Sequence, residues 1–147
     1  MDIYAKIRTL AQLDATLSAL FFTGTQRWFK QQIQPGYISK GLCVRVSKPT
    51  TVFSYTQYGL MNLNKPLMQF DILGFDSTAV QAATIAVINW MGTVSFAETN
   101  DFDSPATTPP HSPNFLLNRR SGMEAQVDPP GPVYIETLDF RIYNLEN

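Results

Sequence analysis

The stretch MQFDILGFDSTAVQAATIAVINWM, residues 68–91, changes hydrophobic period without a pause, and that change limits what the chain can build. Met68, Phe70 and Ile72 alternate with Gln69, Asp71 and Leu73, the period-two pattern of a strand. Seven residues later Val80, and then Ala83, Val87, Ile88 and Met91, recur at helical spacing. Asp76 or Ser77 stands ready as the N-cap, Thr78 to Gln81 has capping-box spacing, and Gly92 closes the helix. A strand that runs straight into a helix requires a mixed architecture with a helix laid on a sheet. The last turns of that helix, IAVINWM, are apolar almost all round, so Ile85 and Trp90 need burial either inside the domain or at a subunit contact.

The flanking segments extend this plan. Leu42, Val44 and Val46 alternate with Cys43, Arg45 and Ser47, which predicts a half-buried strand that pairs antiparallel with 67–73 as a long hairpin. Cys43 falls on the less buried face, a structural rather than a reactive thiol. The hairpin's tip, residues 49–66, has a Thr, Tyr, Ser, Gln and Asn texture and no single buried face, and such a ribbon needs something else to pack against. Ahead of it, Ile3, Ile7, Leu10, Leu13, Leu17, Leu20 and Phe21 predict one amphipathic helix over residues 3–21, with Asp2 as N-cap and Gly24 just past the end. RWFKQQI, residues 27–33, reads as a short strand halted by the turn QPGY.

Beyond the second helix, residues 100–114 (NDFDSPATTPPHSPN) carry several prolines and no apolar period, so they form neither helix nor central strand. NFLLNRR follows, then the break DPPGP at 128–132, then the strand VYIETLDFRIYNL. That last strand changes parity: Val133 and Ile135 share one face, and Leu138, Phe140 and Ile142 share the other. A bulge near Glu136 and Thr137, or burial on both faces, would reconcile them. The order α-β-β-β-α-β-β describes an α+β domain spanning residues 1–147. Its expected form is an antiparallel sheet of about four or five strands, with two helices packed on one face and a long β-hairpin extension. The proline-rich loop then lies within this domain and is not a linker.

Composition sets the outer limits. At 147 residues and 44% hydrophobic the chain is long enough for a sizeable core. Its longest apolar run, near Ile85 to Met91, falls far short of the roughly 18 residues that cross a bilayer, and Asp2 stands where an export leader would want positive charge. A single cysteine, Cys43, excludes an internal disulfide. Charge is divided along the chain. Residues 1–65 hold eight Lys or Arg against two acids, net +6, and residues 66–147 hold three against ten, net −7. Either the two halves interleave and their fields cancel, or the molecule has a positive and a negative side suited to head-to-tail self-association or to facing nucleic acid. An acidic pI near 5.7 and the absence of a basic helix weigh against a dedicated DNA reader.

Catalytic chemistry finds little footing. His111 is the sole histidine and lies in the proline-rich loop, with nothing nearby to position it as a base. Asp101, Asp103 and Ser104 imitate the start of a calcium loop but lack its glycine and its closing glutamate. Arg119 and Arg120 point to opposite faces of a strand, where one could pair with Glu124, Asp128 or a partner's carboxylate. No catalytic, cofactor-binding or metal-binding residue is assigned.

Taken in order, these elements resemble the tail terminator or tail completion proteins of long-tailed bacteriophages, the minor tail protein U type. The likeness rests on the opening helix with Leu10, Leu13 and Leu17, the RWF and LCVRV strands, MQFDILGFDS running into STAVQAATIAVINWM, and NFLLNRR before the closing YIETLDFRIYN. It covers nearly the whole chain as a matter of pattern and order. The resemblance implies a structural virion protein of the tail or neck, assembled in the host cytoplasm, that closes into a ring, commonly a hexamer. Such a ring caps the major tail tube protein, stops its polymerisation and offers its other face to a head-completion or connector protein, with DNA only passing through the lumen. No membrane and no cofactor enter this picture. Subunit or partner contacts are then expected at Phe53, Tyr55, Tyr58 and Met61 of the ribbon, at Trp90, at Asp101 and Asp103 of the loop, and at Arg119 and Arg120. Another neck component, a nucleic-acid-binding module using the carboxylate-free segment 15–70, and a small-molecule enzyme built around His111 remain as alternatives.

Overall fold

A computed structural model describes residues 3–34, 36–56, 59–94, 96, 114–127, 130–142 and 144–145, with the backbone alone described at 48–66, 125–127, 130, 144 and 145. Tyr58, Asp101, Asp103 and His111 therefore lie outside the described residues. The elements are α1 (Ile3–Leu13), α2 (Ala15–Phe21), β1 (Trp28–Lys30), a 3-10 turn (Ile38–Lys40), β2 (Cys43–Thr56), β3 (Gly59–Gly74), α3 (Ser77–Met91), β4 (Asn114–Val127), β5 (Pro130–Ile142) and β6 (Asn144–Leu145). They form an α+β fold on one sheet of order β1-β2-β3-β5-β4, with β6 joining β3 off that path.

Three expectations change. The opening helix is two helices, because Asp14 adopts an extended backbone and its carboxylate accepts the Leu17 amide at 3.0 Å, which starts α2 afresh. The sheet is mixed: β1 pairs parallel with β2, while β2–β3, β3–β5 and β4–β5 are antiparallel. A parallel neighbour needs a crossover, and residues 31–42 with the 3-10 turn provide it. The strand at 27–33 is also shorter than expected. Gln31 takes a φ of 67°, a conformation uncommon outside glycine, and turns the chain out of the sheet after Lys30.

The hairpin of β2 and β3 forms as the alternation requires, with Val44 opposite Ile72 and Val46 opposite Phe70. These side chains, with Met68, Leu138, Phe140 and Ile142, make one buried layer. Ile7, Leu17 and Phe21 from α1 and α2, and Val80, Ala83, Val87 and Met91 from α3, cover it. The parity change in β5 is resolved by burial on both faces. Pairing of β5 runs unbroken through Glu136 and Thr137, and Leu73, Val133 and Ile135 form a second cluster on the reverse face, covered by Ile33 and Ile38. The irregularity sits instead in β4, between Leu116 and Asn118.

Two hairpins extend past this core from opposite ends of the sheet. Pairing of β3 with β5 spans Leu67 to Gly74, so the remainder of β2 and β3 continues as a ribbon to Thr56 and Gly59, joined by β6 at Leu63 and Asn64. At the other end, β4 and β5 continue past Tyr134 to the Val127–Pro130 pair.

Candidate interaction surfaces

On the reverse face of the sheet, β2 and β3 place Arg45 directly across from Asp71. Asp71 is buried, and its carboxylate accepts from Arg45 Nε at 2.8 Å, from Arg45 Nη2 at 2.8 Å, from the Thr137 hydroxyl at 2.8 Å and from Gln69 Nε2. This is a satisfied charge network, so its first role is to fix the register of three strands. Arg120 continues the polar strip by pairing with Asp139 at 3.1 Å. On the helix side, Arg119 pairs with buried Glu136 at 3.2 Å, and the Ser121 hydroxyl donates to the same carboxylate at 2.6 Å. The two arginines do take opposite faces. Their partners, however, are Glu136 and Asp139 of the adjacent strand, not Glu124, since cross-strand neighbours in β5 lie nearer than a residue further along β4.

A second surface lies where α2 meets α3. Asp14, Thr16, Ala82, Ile85, Ala86, Asn89, Trp90 and Thr93 line an open groove of about 360 Å³. Trp90 is only 6% exposed. Its indole stacks edge-on against Trp28 at 6.2 Å and Phe96 at 5.8 Å, so the residue belongs to the subunit's own core and offers the groove only a floor. Ile85, 51% exposed, is the apolar residue that α3 leaves outside.

The third surface is the β4 edge of the sheet. Phe115, Leu116, Leu117 and Met123 are all exposed there, and the pairing irregularity between Leu116 and Asn118 falls within this run. From sequence, NFLL reads as part of a strand and not as a surface; the signal for a surface is a run of three large apolar residues where alternation places at most two on one face. Asn114, at the start of β4, is buried and donates Nδ2 to the carbonyls of Met91 and Val94 at 2.9 and 2.8 Å, which ties the strand to the end of α3.

A smaller cleft of about 170 Å³ between α1 and β1 is lined by Tyr4, Arg8, Trp28 and Lys30, with Lys30 Nζ 4.5 Å from the centre of the Tyr4 ring. Among the described residues no group of three His, Cys, Asp or Glu side chains could hold a metal ion. Cys43, expected on the less buried face, is fully buried. Burial pushes its thiol up to about 11, against a smaller opposing pull from Arg27, so it is a protonated core side chain and a poor nucleophile. No helix among the described residues is long and apolar enough to cross a membrane. Of the ribbon residues expected at contacts, Phe53 and Tyr55 sit on β2 opposite Asn64 and Leu60, and Met61 sits on β3.

No protein-family model matches the chain, and no curated protein matches it. Among solved structures, it is similar to a chain of the "Virion of native gene transfer agent (GTA) particle", with a TM-score of 0.64 at 15% sequence identity. The likeness covers 96% of this chain and 92% of that one, so it is a likeness of the whole fold.

Proposed function

We propose that this chain is a structural protein of a phage-type virion, and that it forms a ring capping the tail tube and joining the tail to the head. The observation that carries this reading is the shared fold with a chain of a gene transfer agent virion over nearly the full length of both. The surfaces agree with an assembly role. A satisfied polar network occupies the reverse face, apolar side chains stand on the β4 edge and on α3, and hairpins leave the sheet at both ends. A ring needs such an arrangement, with lateral contacts between subunits and separate contacts above and below.

In this reading the ribbon and the β4–β5 tip make the axial contacts, one toward the tail tube protein and the other toward a head-completion or connector protein. Phe53, Tyr55, Tyr58 and Met61 supply the ribbon's contact side chains, and Asp101 and Asp103 belong to the same partner-facing set. DNA only passes through the lumen, and the function is not enzymatic. The test is to assemble tail tubes with and without the protein and measure their length by electron microscopy, with light scattering on the protein alone and mixed with tube protein. Rings at tube ends and a defined tube length are expected. Unaltered tube lengths together with a strict monomer in every mixture would sink the reading, and capture by connector in place of tube protein would move the protein to another position in the neck.

A further inference from the structure

We infer that the ribbon joins its axial partner by strand addition: the outer edge of β2, from Thr50 to Thr56, takes an extended, uncharged segment of the tail tube protein. This rests on the ring reading and names which of the two hairpins faces the tube. Hydrogen-bond parity leaves the edge open. Val44 donates its amide to the Arg27 carbonyl at 2.9 Å and Val46 accepts from the Gln31 amide at 2.7 Å, so both turn toward β1. Arg45 and Ser47 then turn toward Asp71 and Gln69 of β3. The pairing of β1 ends at Lys30, opposite Val46. Past the bulge, Thr50 pairs with Leu67 and Val52 with Lys65, which share the parity of Asp71 and Gln69. The amides of Thr51 and Phe53 therefore turn outward, to a side where no described strand pairs. Pro66 lies opposite Thr51, where the ladder asks for no N–H.

The sequence leaves this edge unprotected. Lys48 and Pro49, the residue types that discourage strand pairing, stop just short of Thr50, and residues 49–64 contain no charged side chain. Two neighbouring edges are blunted. On the outer side of β3, β6 pairs with Leu63 and Asn64, and Pro66 has no amide to donate. In the β4–β5 extension, Pro130 and Pro132 carry the parity by which Tyr134 and Glu136 bond toward β3, so the β5 side of that hairpin lacks a donor at both positions. A capping ring needs this asymmetry, with an adhesive edge toward the tube and, at the opposite end of the sheet, a β5 side that receives no further strand. A second copy of this chain fits the edge less well. Like edges pair only about a two-fold axis, and β6 covers the matching stretch of β3, so neither contact closes a ring.

Amide hydrogen exchange, quenched and read residue by residue, tests the inference on the full chain alone and mixed with purified tail tube protein. Alone, Thr51 and Phe53 should exchange roughly tenfold faster than Thr50 and Val52, and in the mixture they should slow by about that factor. Docking through side chains would not produce this alternation. Thr51→Pro removes an outward donor and should weaken tube binding about tenfold, while Thr51→Val keeps the donor and should bind like the parent. Circular dichroism of both variants checks that the fold is intact. Slow exchange of Thr51 and Phe53 in the protein alone would mean that the edge is already filled, and it overturns the inference. So do uniform protection, protection supplied only by connector protein or by a second copy, and parental tube binding by Thr51→Pro. Electron microscopy of tube ends keeps the two readings apart. Capped tubes without the alternating protection retain the ring and remove strand addition, and alternating protection without capped tubes retains the contact and removes the ring.

Discussion

At the scale of single residues, Arg27 shows how a charge can be wholly structural. Its guanidinium is buried and donates to four carbonyls: Nε to Leu42 at 2.9 Å, Nη1 to Thr23 and Thr25 at 3.1 and 3.0 Å, and Nη2 to Leu20 at 2.8 Å. These carbonyls belong to the end of α2, the turn after it and the approach to β2, so one fork joins the helical layer to the sheet. Gly41 makes room for it, since a Cβ there would lie 2.9 Å from Nε at a φ of +148°. Arg27→Lys keeps the charge but not the fork, and should lower unfolding stability in urea by about 2–3 kcal/mol. The sequence marked Arg27 only as one cation in a carboxylate-free segment, because its partners are main-chain atoms that converge only after folding. Cys43 leads to a second prediction. Its folded thiol titrates near 11 against an ordinary value of 9.0. The neutral form is the one the fold favours, so stability is intact below pH 9 and falls as pH rises from about 9 through 11. Cys43→Ser would not titrate in that window, and comparing the two chains' melting points from pH 8 to 11 isolates the effect. Native Cys43 should also resist alkylating reagents that label the unfolded chain.

At the scale of elements, what was legible depended on whether the signal was local. Residues 68–91 announced their strand and helix because period, cap and stop all lie within the segment, and Asp76 does cap α3 through the Thr78 amide at 3.0 Å. Once Val44 pairs with Ile72, Arg45 must face Asp71, so that ion pair too was within reach of the alternation. The break between α1 and α2 was not read, although its signal was present: Asp14 stands three residues before Leu17, where an N-cap carboxylate reaches an amide. A continuous apolar stripe from Ile3 to Phe21 masked it, since both helices press the same layer. Asp14→Ala should cost about 1 kcal/mol through loss of the cap, measured by chemical denaturation. Asp14→Ser, which retains a capping oxygen, should recover most of it. The parallel pairing of β1 was not legible, and alternation offered burial of Val133 and Ile135 on the reverse face only beside a bulge, because both features depend on where residues 31–42 return to the sheet.

At the scale of the whole molecule, core and extensions are separable, and the distinction can be tested. Among the residues whose side chains are described, the buried layer reaches Val46 on β2, Met68 on β3 and Ile142 on β5. Past Leu67 the ribbon runs on for roughly 25 Å at the usual rise per residue. Apart from the β6 pairs at Leu63 and Asn64, the ribbon has two strands and gains little stability by itself, which agrees with the proposed contact to another protein. Replacing residues 54–63 by Asn-Gly closes the hairpin on the Phe53–Asn64 pair with a two-residue turn suited to the twist of the strands. The shortened chain should keep its helical and sheet circular dichroism and unfold within about 1 kcal/mol of the parent, because the groove, the β4 edge and both core clusters are untouched. If the ribbon makes an axial contact, lateral association persists while binding to tail tube or connector protein is lost. If it is instead a lateral clasp, rings fail and the bare subunit remains. Loss of folding would place the ribbon in the core, and unchanged assembly with every partner would remove it from the contact set.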